Sequence, residues 1–354
     1  MEQVLTGFRE QIVAAVAAGT PLCIRGGGSK DWYGQSPQGA LLDTRGFCGI
    51  IEYEPTELVI TARCGTPLAE IEAALAEQNQ MLAFEPPHFG AAATVGGAVA
   101  AGLSGPRRQA VGSLRDFVLG VVLMNGQGEV LHFGGQVMKN VAGYDVSRLL
   151  TGSLGTLGLL LEVSLKVLPR PFAETTVQLR MNQAEAIRRL NTWGGQPLPV
   201  SASLWQNDVL TMRLSGAEAA VASARNLIGG DEIDGQQFWQ AAREHALDFF
   251  AGADADHPVW RLSVPSTAAP LDLPGPQLIE WGGAQRWLRT SAPAAKVRAV
   301  AAGAGGHATL FRGGDKSVGV FHPLTPAVAA IHRNLKAGFD PRGIFNPGRL
   351  YPDL

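Results

Sequence analysis

Four glycine-rich clusters punctuate the first 160 residues beside apolar runs, and no other feature of the sequence restricts the fold as much. They read Arg25-Gly26-Gly27-Gly28-Ser29, then Ala93-Thr94-Val95-Gly96-Gly97-Ala98 continuing to Gly102-Leu103-Ser104-Gly105. Lys139-Asn140-Val141-Ala142-Gly143-Tyr144-Asp145 and Gly152-Ser153-Leu154-Gly155-Thr156-Leu157-Gly158 complete the set. Three consecutive glycines let backbone N–H groups converge on an anion without side-chain obstruction, and Ser29 adds a hydroxyl donor, so a pyrophosphate is the natural guest. No GK[ST] follows, which excludes a P-loop, and no GxGxxG opens a helix, which excludes the dinucleotide fingerprint. Thr94 can cap a short helix whose first turn carries two glycines, aiming its dipole and free amides at an anion. A turn, or close helix packing, would explain any one cluster; four of them at strand ends in so short a stretch ask for more.

Composition narrows the class. Apolar residues make up 46% and charged residues 17%, which supports a sizeable core and excludes global disorder. The net charge of −2 leaves no basic footprint for nucleic acid. Cys23, Cys48 and Cys64 form neither a CxxC pair nor a ferredoxin-type run, so this chain holds no iron–sulfur cluster and belongs in a reducing compartment. The N-terminus carries Glu2, Arg9 and Glu10 where a signal peptide would be apolar, and the apolar stretches 91–103 and 149–168 are too short or too interrupted to span a bilayer. The expectation is a cytoplasmic protein, peripheral on the inner membrane at most.

The chain reads as α+β. Leu5, Phe8, Ile12 and Val16 fall at helical spacing, predicting a helix over 2–18 that stops at Gly19. Thr66 followed by Pro67 predicts a capped helix to about Glu77. Residues 117–124 and 129–133 predict a hairpin around Asn125-Gly126-Gln127-Gly128, and 158–168 a strand. After Pro171 the pattern changes to helices over 182–192, 217–227 and 238–250 between strand-like runs at 209–214 and 260–264, with most of the tryptophans. A hairpin around Gly313-Gly314, a helix over 326–337 and a turn-rich tail, FDPRGIFNPGRLY, follow. No internal repeat is visible. Residues 229–256 carry seven acids against Arg243, and 286–349 ten basic residues against Asp315 and Asp340. These are two solvated faces, or an acidic patch for a partner and a basic one for an anion.

The ordered set strand–RGGGS, ATVGG…GLSG, GSLRDF, K-N-x-x-GYD, GSLGTLG and terminal DPxGIFNPG resembles the PCMH-type FAD-binding domain of vanillyl-alcohol-oxidase-type flavoproteins. Within that superfamily it is most similar to the 2-hydroxyacid dehydrogenase branch and to the FAD-binding subunits of bacterial glycolate oxidases. The resemblance covers 20–171 and 338–351 and is weak over 175–335. It implies an FAD-binding domain of two subdomains over 1–172, an α+β cap over 173–325, and a tail over 326–354 that returns to the first domain. By the same resemblance Arg25, Gly26, Gly27, Gly28 and Ser29 would cradle the FAD pyrophosphate. Pro87, Thr94, Gly96, Gly97 and Ser104 would line the cofactor. Ser113, Asp116, Gly152, Ser153, Gly155 and Leu160 would hold the adenosine and flavin edges, and Asn346 would approach the flavin, whose ring would sit between FAD domain and cap. The implied reaction is oxidation of glycolate to glyoxylate, the flavin taking hydride from the α-carbon. Electrons would then pass to an iron–sulfur subunit, with a second flavoprotein subunit bearing the hydroxyacid site.

Two departures bear on the reaction. Leu154 stands where many relatives have Glu, and Gly306-His307-Ala308-Thr309-Leu310-Phe311-Arg312-Gly313-Gly314-Asp315 lacks the second His and the Asn of a metal-binding HxGDGNxH segment, so no metal is expected. His88, His307 and His322 are candidate bases, each more often structural in such settings. His132, His245, His257 and His332 read as surface or packing residues, Glu85 as a loop carboxylate. Lys139, Arg107 and Arg108 could neutralise a phosphate or a substrate carboxylate, or simply be solvated. A free-standing flavin oxidoreductase of another alcohol or sugar, and a non-catalytic FAD-holding assembly subunit, remain as alternatives.

Overall fold

The structure, a computed structural model, describes residues 1–135 and 145–354. Two compact units divide the chain: Met1–Leu103, Ser113–Pro169 and Pro323–Leu354 form the first, Ser104–Gly112 and Arg170–His322 the second. The expected first domain ran unbroken to 172, but 104–112 packs within the second unit. There Arg107 pairs with Glu174 at 2.8 Å, Arg108 stacks 4.1 Å from the Trp281 ring centroid, and Gln109 accepts a hydrogen bond from Ser203.

In the first unit the strands are β1 (Leu22–Arg25), β2 (Ala40–Asp43), β3 (Ile50–Glu54), β4 (Val59–Arg63), β5 (Gln80–Met81), β6 (Val118–Met124), β7 (Val130–Gly134), β8 (Leu159–Lys166) and β9 (Leu168–Pro169). An antiparallel sheet runs β3-β4-β8-β6-β7, while β1 and β2 pair in parallel and β5 pairs with β9. β8 is its spine: a near-continuous apolar run that is buried on both faces, as a central strand must be. The helix Glu2–Ala18 buries Phe8, Ile12 and Ala15 and ends on Gly19 in the left-handed conformation, as its spacing predicts. Ile344 and Phe345 of the tail complete this core, and Phe345, fully buried, contributes roughly 1.5–3 kcal/mol by its burial. Leu22 donates its N–H to Ile344 and accepts one from Asn346, so the tail runs parallel to β1.

Two local expectations need correction. Pro67, not Thr66, occupies the cap of the helix Leu68–Glu77; the Thr66 hydroxyl instead accepts from Gly49 N–H and donates to Arg63 O. No return strand follows Gly313-Gly314: both glycines adopt positive φ, and Asp315 then caps a short 3₁₀ turn, Lys316–Val318.

The second unit holds β10 (Ala173–Arg180), β11 (Val200–Gln206), β12 (Val209–Gly216), β13 (Asp231–Ile233), β14 (Val259–Ser263), β15 (Gln277–Glu280), β16 (Gln285–Arg289) and β17 (His307–Arg312) in one antiparallel sheet, ordered β13-β10-β12-β11-β15-β16-β14-β17. Each half of this order follows the same rule. The first half is a strand–helix–strand–strand–helix–strand unit with its fourth and first strands adjacent, the split-βαβ plan. The second half repeats the strand order but has a loop, 264–276, in place of the first crossover helix. Arg286, 1% exposed, reaches that loop by donating to Ala268 O and is itself held by donating to Gly283 O, and burial draws its pKa down to about 10. A repeat of topology without a repeat of sequence is invisible to inspection of the chain.

Candidate cofactor-binding site

A narrow cavity of about 60 Å³ lies in the first unit where the ends of β1 and β4, the helix Val95–Ala101 and the start of β8 converge. Its walls carry no charged side chain. Six expected residues line it: Gly26, Gly96, Gly97, Gly155, Leu160 and Asn346. Glycine is required at the close approaches. A Cβ on Gly27 would overlap the Ala92 carbonyl oxygen, and one on Gly155, where φ is +72°, would fall 2.7 Å from Asn346 Nδ2.

Thr94 caps the helix Val95–Ala101 as its sequence predicts, its Oγ1 accepting from Gly97 N–H at 3.2 Å. This places the helix N-terminus, with Gly96 and Gly97, on the cavity wall. Opposite, the Asn346 side chain bridges two walls: Oδ1 accepts from Ile24 N–H at 2.8 Å and Nδ2 donates to Leu154 O at 2.6 Å.

The remaining expected residues lie elsewhere. Gly28 packs under the Arg25 guanidinium, and exposed Arg25 pairs with Asp31 at 2.6 Å. Ser29 Oγ accepts from Lys30 Nζ at 3.3 Å. Gly152 donates its N–H to Val99 O, and buried Ser153 accepts from the Thr156 hydroxyl, so both shape the loop behind the cavity. Pro87 is buried between Glu85 and Phe89, which both hold positive φ, and does not line the cavity. Ser113 and Asp116 form a reciprocal capping box, Ser113 N–H and Oγ–H both donating to Asp116 Oδ2; the geometry commits them to each other. Ser104 belongs to the second unit. Of the third cluster, Lys139–Tyr144 lies outside the described residues.

Sequence reasoning did not assign a lining role to Ile24, Thr44, Cys64, Ala100, Leu154, Gly158 or Leu159. Cys64 is 3% exposed, and burial, seconded by the Glu162 charge, pushes its thiol pKa far up and keeps it neutral. Read only for disulfides and clusters, it offered no signal of a lining role. The candidate cations Arg107 and Arg108 are engaged in the second unit as described above.

The histidines separate by environment. His88 lies 3.1 Å from Glu72. His307 and His322 stand 6.3 Å apart between ring centroids; burial lowers both pKa values, with Arg261 acting further on His307 and Arg298 on His322. His245, expected at the surface or in packing, stacks on Phe250 at 4.2 Å within a cluster that includes Trp287 and Phe311. Burial, then Arg312 and Arg261, pull its pKa well below the ordinary value. Among the described residues no group of three or more His, Cys, Asp or Glu side chains could hold a metal, and no helix is long and apolar enough to cross a membrane.

The family model described as FAD binding domain matches residues 8–134, which include part of this cavity's lining. Two solved structures of alkyldihydroxyacetonephosphate synthase share the fold, with TM-scores of 0.67 and 0.66 at 15% identity, over 96% and 97% of this chain and 73% and 75% of theirs. Glycolate oxidase subunit GlcE of Escherichia coli is 51% identical over 345 residues, 98% of this chain and 97% of that protein; the chain belongs to this subunit's family. Partial matches include glycolate oxidase subunit GlcD of Bacillus subtilis, 31% identical over 44% of this chain and 34% of its own length. D-lactate dehydrogenase of Archaeoglobus fulgidus is 32% identical over 42% and 34%.

Proposed function

We propose that this chain is the FAD-carrying subunit of an oxidoreductase complex that oxidises a small 2-hydroxyacid, glycolate, to its 2-oxo product. The observation that carries the reading is the cavity formed by Gly26, Gly96, Gly97, Gly155 and Asn346, in a chain 51% identical over nearly its whole length to a glycolate oxidase subunit. Its walls fit an extended anionic linker such as a pyrophosphate–ribityl stretch. Backbone approaches closely and no carboxylate repels the anion; the first-turn N–H groups of the helix capped by Thr94 are already engaged within the protein, Val95 with Thr66 O, Gly96 with Cys64 O and Gly97 with Thr94 Oγ1. Gly26, Gly27, Gly96, Gly97, Gly155, Leu160 and Asn346 would hold the cofactor. When bound, FAD supplies this chain with a two-electron redox centre. This chain's residues bind and orient it: Asn346 fixes the distance between the Ile24 and Leu154 walls, and the neutral Cys64 thiol keeps the floor uncharged.

With three scattered cysteines, this chain offers no iron–sulfur ligand set of its own, and in this reading the electrons leave through other subunits. The partners fitting that requirement are an iron–sulfur subunit and a second flavoprotein subunit bearing the hydroxyacid site. The test is co-purification of the complex from its native source, with glycolate-dependent dye reduction measured for wild type and for Gly27→Ala. Co-purification with subunits of those two kinds, and loss of dye reduction in the variant, are expected. Full activity of the variant would favour an assembly subunit, and glycolate turnover by the lone chain a free-standing enzyme.

A further inference from the structure

The helix Pro326–Phe339 presents an anomaly: of its fourteen residues the one that is buried is a lysine, Lys336. Leaving an ammonium group out of water is costly unless each donor finds an acceptor. Here all three do. Lys336 Nζ donates to Thr156 O at 2.7 Å, to Asp340 Oδ2 at 2.8 Å and to Phe345 O at 2.7 Å. Asp340, 1% exposed, accepts in addition from Ile344 N–H at 3.1 Å and from Phe345 N–H at 2.8 Å. Burial lowers the lysine pKa, and the hydrogen bond and charge of Asp340 work against that shift.

What this pair grips matters more than the pair itself. Thr156 lies in the Gly152–Gly158 cluster, two residues past Leu154, and Phe345 directly precedes Asn346. Leu154 and Asn346 both line the cavity, and both hold left-handed backbone, φ +52° and +40°, which a non-glycine residue keeps only when its surroundings enforce it. They are joined by the Asn346 Nδ2 to Leu154 O hydrogen bond, and Asn346 Oδ1 reaches the N–H of Ile24 on the third wall.

We infer that Lys336 and Asp340 are positioning residues of the cofactor cradle: neither lines the cavity, yet together they set the separation of the Leu154 and Asn346 walls. The inference rests on the reading of that cavity as the FAD site. A mere anchor for the tail would affect stability while leaving cofactor affinity and spectrum unchanged once the chain is folded.

The test uses the full-length chain, stripped of flavin and titrated with FAD by fluorescence quenching, with the visible circular dichroism of the bound flavin as a second signal. Lys336→Met and Asn346→Ala should each weaken FAD binding by about 10-fold or more. The double variant should be no more than about twofold weaker than the worse single, because both remove one linked restraint. Both single variants should change the flavin dichroism in the same sense. Should Lys336→Met fold poorly, Lys336→Gln, which keeps an amide NH2 donor group without the charge, replaces it with the same expectation. Wild-type affinity in the lysine variant beside a weakened Asn346→Ala overturns the positioning role alone, as does full multiplication of the two losses. Unchanged binding in Asn346→Ala overturns the cavity's assignment as the FAD site along with it.

Discussion

The first unit's cavity measures about 60 Å³, whereas the second unit has a hollow of about 470 Å³ beside Trp193 and Trp281. Volume therefore does not single out the proposed cofactor site. In the first unit, glycines bring backbone against backbone, as at Gly27 with Ala92, and leave uncharged walls. In the second, bulky side chains do the packing: Trp260 and Trp287 are almost fully buried, and Arg213 and Arg286 are buried with them. One unit is built from conformations that a side chain would destroy, the other from side chains whose loss would leave holes.

That contrast can be broken by substitution. The largest effect belongs to the second unit. Trp260→Ala, emptying a site 2% exposed, should cost about 3–5 kcal/mol of stability by denaturant unfolding. Flavin content should stay unchanged in the folded protein. Next comes Gly27→Ala, whose new Cβ collides with the Ala92 carbonyl. It should weaken FAD binding by roughly 100-fold, about 2.7 kcal/mol, measured by titration, and a wild-type affinity would place the cofactor elsewhere.

A smaller effect depends on pH. Because the folded protein holds the His245 pKa well below 6.5, the unfolded chain binds the extra proton first as pH falls. Stability is therefore complete above about pH 6.5 and falls by up to about 1.4 kcal/mol per pH unit below it, until the folded pKa is reached. His245→Asn, which tolerates the left-handed backbone there, should flatten that slope in a pH series of thermal unfolding. The smallest effect is in the first unit: Thr94→Ala removes the helix cap and should cost about 1 kcal/mol.

The same contrast explains what could be read from the chain. Local chemistry was legible: the spacing of Phe8 and Ile12, the cap at Thr94 and the apolar run of β8 each follow from neighbours in sequence. Gly26, Gly96, Gly97 and Gly155 were legible as residues of one cavity wall, since four glycine clusters in so short a stretch ask for more than separate turns. Long-range burial was not. Nothing near Cys64 in sequence says that it will face Gly96, and Lys336 reads as one more exposed helical lysine until Thr156 and Phe345 are seen closing over it. Ser113 and Asp116 form a capping box, which their S-x-x-D spacing also fits. The two-fold plan of the second unit is topological, written in strand order rather than in residues.

The most direct test of the central claim is the flavin content of the purified chain, read from its visible spectrum and from chromatography of the acid-released chromophore. The first unit's cavity predicts FAD at close to one per chain, falling sharply in Gly27→Ala. A colourless chain that takes up no added FAD, or a Gly27→Ala variant that retains a full complement, would contradict it.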